Sequence, residues 1–206
     1  MNRAELKSQA KAQIKGKIGV LFLITLLIGL ISGAAGAILG IIPVVGPVIA
    51  AVVVTPAFAL SIYRVYLLVA EGTKPEVKDA FSGFDDFWSA FKLTFLVGLY
   101  TFLWSLLLYI PGIVKSISYS MSFYILAENK GKSARECIRE SMAMTDGHKW
   151  ELFVLSLSFI GWALLGAITL GIAYIWIVPY MQATFTNAYK LLKGENAEPP
   201  VIEAAE

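Results

Sequence analysis

Residues 18–63 read IGVLFLITLLIGLISGAAGAILGIIPVVGPVIAAVVVTPAFALSIY, 46 positions without a single charged side chain. One crossing of a bilayer core takes about 20 apolar residues, so this run is long enough for two. Pro43, Gly46 and Pro47 interrupt it in the middle. Two prolines and a glycine within five residues stop one helix and start another. The stretch therefore predicts a transmembrane hairpin closed by an uncharged turn. Ser32 to Ala37 resembles a signal-peptide cleavage region, but the apolar run continues through Ile42, so no cleavage is expected.

Working outward, the same plan recurs. Residues 93–114 and 152–189 are also free of charge. With 57% hydrophobic and only 16% charged residues, a soluble core of this length could not hide the apolar surface. The expected fold is all-α: a polytopic membrane helical bundle of six transmembrane helices, arranged as three hairpins. The spans fall at about 18–42, 48–69, 93–112, 113–127, 152–169 and 172–192, with amphipathic cytoplasmic interfacial helices between them. Residues 1–193 form one membrane domain. Residues 194–206, acidic and carrying Pro199-Pro200, are expected to be a disordered tail.

The polar segments carry the rest of the information. Arg3, Lys7, Lys11 and Lys15 are each four apart, one basic stripe on a helix. The stripe reads as a cytoplasmic topology anchor, and it also suits contact with anionic headgroups. Arg64 lies near the inner end of the second span and can snorkel to headgroups. In residues 77–91, Val77, Phe81, Phe84, Trp88 and Phe91 are spaced 4, 3, 4 and 3, one apolar face of an interfacial helix. Phe84 and Trp88 are its lipid-contact candidates. Ser133 with Glu136 predicts a capping box at the start of a later cytoplasmic helix. Gly29 with Gly33, and Gly36 with Gly40, form small faces suited to close helix packing.

Nearly all charges lie before the first span, after the sixth, or in the two long loops. The three short turns carry none. The positive-inside rule then places both termini in the cytoplasm of a bacterial inner (cytoplasmic) membrane. Lys115 breaks this pattern. It lies in the short fourth span, one turn past Pro111-Gly112, among Ser116, Ser118, Ser120 and Ser122. Lys115, Tyr119 and Ser122 are at i, i+4 and i+7, so one helical face would form a polar outer pocket.

Several function classes are disfavoured. The net charge of +2 creates no field for nucleic acid. Cys137 and His148 are the only cysteine and histidine, so neither a disulfide nor a metal or cofactor site is expected. No hydrolase, zinc-protease or P-loop spacing occurs, and no carboxylate lies inside a span. A non-enzymatic protein is expected.

The chain resembles the bacterial integral membrane proteins grouped as domain-of-unknown-function family 975. The likeness is carried by Tyr109-Ile110-Pro111-Gly112-Ile113-Val114-Lys115 with Tyr119-Ser120-Met121. It is carried more strongly by Gly147-His148-Lys149-Trp150-Glu151-Leu152-Phe153, Leu157-Ser158-Phe159-Ile160-Gly161-Trp162, Thr169-Leu170-Gly171-Ile172 and Pro179-Tyr180. A looser similarity reaches the membrane domain attached to some glycerophosphodiester phosphodiesterases. The resemblance implies a multispan membrane protein and brings no activity with it. The expected role is an accessory or binding protein contacting the lipid bilayer, a partner membrane protein or a second copy of itself. A small-solute or lipid permease, or a transporter subunit, is the alternative.

Overall fold

The computed structural model describes residues 2–41, 45–107 and 109–194. Among them the chain is all helical. The residues expected to form the acidic tail lie, from 195 on, outside the described residues. So do Pro43 and Val44 of the first turn.

The N-terminal helix α1 spans Arg3–Ile14. Asn2 caps it, its side-chain oxygen accepting from the amides of Ala4 and Glu5 at 3.2 and 3.4 Å. The helix stops before Lys15, whose backbone is extended, and Gly16 takes φ +76°. Next come α2 (Ile18–Leu39) and α3 (Val45–Ala70). Gly46 and Pro47, read as turn residues, already lie in the first turn of α3. A proline is tolerated there because the first helical amides have no intrahelical acceptor.

Residues 77–91 do not form the single α-helix that their spacing predicts. Val77–Asp86 is a 3-10 helix, and α4 begins at Phe87 and runs to Leu107. The reason is close packing. At three residues per turn, Ala80 and Gly83 align on one face. Both are buried. A Cβ on Gly83 would sit 2.0 Å from the carbonyl oxygen of Ala57 on α3, so only glycine permits this approach. The Gly83 amide donates to Ser61 Oγ at 2.9 Å.

The next two helices are α5 (Tyr109–Tyr119) and α6 (Ser122–Glu128). Tyr109 to Gly112 opens α5 rather than closing the third span. A Cβ on Gly112 would lie 2.3 Å from Ser105 Oγ, so α4 and α5 approach at that glycine. The helical segment expected as a fourth span thereby starts before residue 113, but it is broken at Ser120–Met121. The break is filled by α7 (Ala134–Thr145). Ser141 Oγ accepts from the Met121 amide at 3.1 Å and donates to the Ser118 carbonyl at 2.7 Å. A side chain from another helix thus satisfies backbone groups that the break frees. The expected capping box is present: Ser133 Oγ accepts from the Glu136 amide at 3.3 Å, and Glu136 accepts from the Ser133 amide at 3.0 Å.

Helices α8 (Lys149–Leu157) and α9 (Ile160–Ile168) follow, then α10 (Tyr174–Leu192). The turn before α10 has Leu170 at φ 49° and Gly171 at φ 92°, at the position expected for it. Among the described residues, four segments are long and apolar enough to cross a membrane: Ile18–Leu39, Val52–Ala70, Val77–Leu106 and Lys149–Ile168. The fourth and sixth expected spans, 113–127 and 172–192, are not among them.

The core sits at one end. It is built from α1, the first half of α2, the second half of α3, the start of α4, α6, α7, α8 and the second half of α10. Leu60, Val65, Val69, Ile125, Leu126 and Tyr189 are almost fully buried there. The charged helix ends gather around it. Lys190 meets Glu71 at 3.6 Å, and Glu128 accepts from Tyr189 at 2.7 Å and Lys193 at 2.8 Å. The other end presents apolar side chains outward, among them Leu30, Phe102, Ile110 and Ile168.

Candidate lipid and anion interface

Of the basic stripe of α1, Arg3, Lys11 and Lys15 are exposed and Lys7 is half-buried. Leu6, Ala10, Gln13 and Ile14 bury the adjoining face, and α1 packs along α10. The Asn187 side-chain amide on α10 donates to the Leu6 carbonyl at 3.4 Å. This docking points the lysines at aromatic rings. Lys7 Nζ lies 4.5 Å from the centre of the Phe159 ring and donates to the Ser158 carbonyl at 3.4 Å. Lys11 Nζ lies 5.5 Å from the Tyr180 ring. An ammonium over a ring face gains from the quadrupole of the ring. The rings support one another: Phe159 and Trp162 both meet Tyr180 edge to face, at 5.5 and 5.9 Å. Partial burial, with Arg3 and Lys11 nearby, holds the Lys7 ammonium below the usual lysine range. Lys15, just beyond the helix, still faces the same groove as Lys11, opposite Trp162 and Trp176.

Arg64 does not snorkel. Its side chain is only 10% exposed and is tied to the 3-10 helix. The guanidinium donates to the Ser82 carbonyl and to the Asp86 carboxylate. A charge this enclosed is held by a fixed partner rather than by headgroups. Arg64 is therefore the clamp that seats the 3-10 helix on α3. Phe84 meets Phe58 of α3 edge to face at 5.1 Å, yet it remains 42% exposed. Trp88 is 69% exposed. Both present apolar surface outward, as a lipid-contact role needs.

The expected face of Lys115, Tyr119 and Ser122 does not survive the break at Ser120–Met121. Ser122 belongs to α6 and is fully buried, with its hydroxyl lacking a hydrogen-bond partner among the described residues. Tyr119 is buried at the end of α5, 6.3 Å from the Tyr100 ring. Lys115 Nζ instead lies over the Trp104 ring of α4 at 4.8 Å. Lys115 and Tyr119 stay one turn apart on α5, and the helix break separates Ser122 from them.

The remaining reactive groups are quiet. Cys137 is buried on α7, and burial pushes its thiol up to about 11. His148 Nδ1 lies 2.8 Å from Glu151 Oε2. Among the described residues no cluster of three metal-ligating side chains occurs. Among the described residues the glycines of α2 make no close packing: a Cβ at Gly29, Gly33 or Gly36 would meet none of them within 4 Å.

Trp162, Trp176, Tyr180 and Asp86 are the site residues that sequence reasoning missed. Nothing in local spacing reveals that α1 docks on a helix some 170 positions later. Asp86 sits on the polar face of the 77–91 pattern, where it reads as solvated.

No curated protein and no solved structure matches the chain. The looser likeness to the phosphodiesterase membrane domain gains no support from these comparisons. One family model matches over residues 1–118 and 105–196, and the chain belongs to that family, described as protein of unknown function (DUF975).

Proposed function

We propose that the chain is a non-enzymatic accessory or binding protein of the bacterial cytoplasmic membrane, contacting lipid or a partner membrane protein. In this reading it crosses six times, with both termini cytoplasmic. The observation that carries it is the docking of the basic helix α1 beside α9 and α10, where lysines face aromatic rings next to exposed apolar helices. Basic side chains and tryptophans at the boundary of an apolar belt are the composition of a membrane interface. The gathering of charged helix ends around one end fits the cytoplasmic placement of both termini.

The permease alternative would draw on the broken helices, since discontinuous spans often surround a substrate site. Here the α5–α6 break is filled by Ser141 rather than facing a cavity. That favours packing over passage.

Extraction of the protein with its native membrane into polymer nanodiscs, followed by mass spectrometry, tests the proposal. Retained lipid species, or a membrane protein at fixed stoichiometry, are the expected result. Saturable solute uptake by the purified chain in proteoliposomes would instead establish the permease.

A further inference from the structure

A groove of about 270 Å³ between α1, the start of α2, α9 and α10 combines basic and apolar side chains. Lys11 and Lys15 stand at its basic side, and Ile18, Trp162, Trp176 and Ile177 form the apolar remainder. Among the described residues neither lysine has an acidic partner. Trp176 is 55% exposed and Trp162 39%, so the groove opens to the surroundings at its aromatic wall. Another groove of about 360 Å³ sets Lys92 and Arg135 beside Phe91 and Phe95, without the tryptophans. A third of about 350 Å³, lined by Phe22, Leu26, Leu30, Tyr174 and Ile175 among others, carries no charge. It has no means of choosing a headgroup.

We infer that the first groove binds an anionic phospholipid, its phosphate at Lys11 and Lys15 and its acyl chain along Ile18, Trp176 and Ile177. The inference rests on the membrane reading above and names the ligand class. Charge complementarity selects the occupant. The charges of Arg3 and Lys11 press on Lys7, and a net negative headgroup beside Lys11 relieves that repulsion. A zwitterionic headgroup brings its own cation and gains less. A free phosphate ion has nothing to place against the tryptophans, whereas an acyl chain is the complement of that apolar wall. Indole rings at headgroup depth then frame the lipid.

The test is native mass spectrometry of the full chain in micelles containing equimolar phosphatidylglycerol and phosphatidylcholine with matched acyl chains. Wild type should retain phosphatidylglycerol preferentially. Each basic side chain near an anionic surface is worth about fivefold, so Lys11→Gln/Lys15→Gln should lower that retention by about thirtyfold and leave phosphatidylcholine unchanged. Lys11→Arg/Lys15→Arg should restore it. Lys15→Gln alone lies outside any helix, and its loss of about fivefold provides a reading independent of folding. Lys74→Gln/Lys78→Gln removes two charges elsewhere and should have no effect.

Equal retention by wild type and the double Gln variant overturns the inference. So does an equal loss in the Lys74/Lys78 control, which would reduce the effect to net charge. Stripping of phosphatidylglycerol by millimolar inorganic phosphate would make the site one for a soluble anion. A rise in retention when Glu195, Glu198, Glu203 and Glu206 are all changed to Gln would assign the groove to the tail of the chain. In each of these outcomes a cytoplasmic N-terminus keeps the membrane reading intact. A periplasmic N-terminus in sealed cells would remove that reading itself.

Discussion

Helix α2 is more apolar than α3, yet far less of it is covered by protein. An 18-residue stretch of α2 has a mean hydropathy of 2.5 with 17% of its residues buried, against 1.8 and 56% for a stretch of equal length within residues 52–70 of α3. In a water-soluble fold the order is reversed, because the more apolar helix is the one that water drives inside. The inversion supports the membrane reading, in which the apolar side chains of α2 face a medium as apolar as themselves. The second half of α3 is instead held by directional packing: Gly83 against Ala57, Ser61 on the Gly83 amide, Arg64 on Ser82 and Asp86.

The largest expected effect breaks the packed region. Gly83→Val places a branched side chain against the Ala57 carbonyl and should destabilise the fold by on the order of 4 kcal/mol. Denaturant titration of the purified protein reads this, and wild-type stability would show that the 3-10 helix does not depend on that contact. Arg64→Met comes next. It strands the Asp86 carboxylate, 18% exposed, and should cost about 3 kcal/mol. Arg64→Met/Asp86→Leu should recover part of the loss, since the apolar pair leaves no charge unpaired. No recovery would mean that the Ser82 contact, not the ion pair, does the clamping.

The third prediction addresses α2. Leu30 is 63% exposed on an apolar helix. Leu30→Asp should cost about 3 kcal/mol of membrane insertion, seen as lost membrane-fraction yield. Normal yield and normal extraction would place Leu30 against water and cancel the comparison. A smaller effect is expected at Ser133, whose hydroxyl caps α7: Ser133→Ala should cost about 1 kcal/mol. The smallest sharpens the comparison. Gly29→Ala adds a Cβ that meets nothing within 4 Å, so stability should change by less than about 0.5 kcal/mol. A clear loss would reveal a second copy or a partner seated on that face.

Much of the fold was legible because its causes are local. Chain length without charge marks the apolar helices, glycine at Leu170-Gly171 marks a turn, and Ser133 with Glu136 marks a cap. The candidate site was legible only in part. Lys7, Lys11 and Lys15 share a stripe because four residues make about one helical turn. What the stripe faces depends on Phe159, Tyr180 and Trp176, and no periodicity encodes a contact across the chain. The separation of Ser122 from Lys115 and Tyr119 was hidden for a similar reason. Their spacing takes the helix as continuous through Ser120, and the break is stabilised by Ser141, which lies on another element.

By itself, then, the sequence determined the all-helical class, the apolar helices, the caps and the places where basic charge collects. These follow from backbone geometry and the cost of charge in an apolar medium, which act within a few residues. Only the tertiary structure decided that residues 77–86 tighten into a 3-10 helix, that Arg64 meets Asp86, and that α1 lies along α10. Each depends on atoms meeting across long stretches of chain. Whether a side chain at such a meeting is a glycine or a valine, paired or unpaired, is settled by packing at a particular distance, which local spacing does not contain.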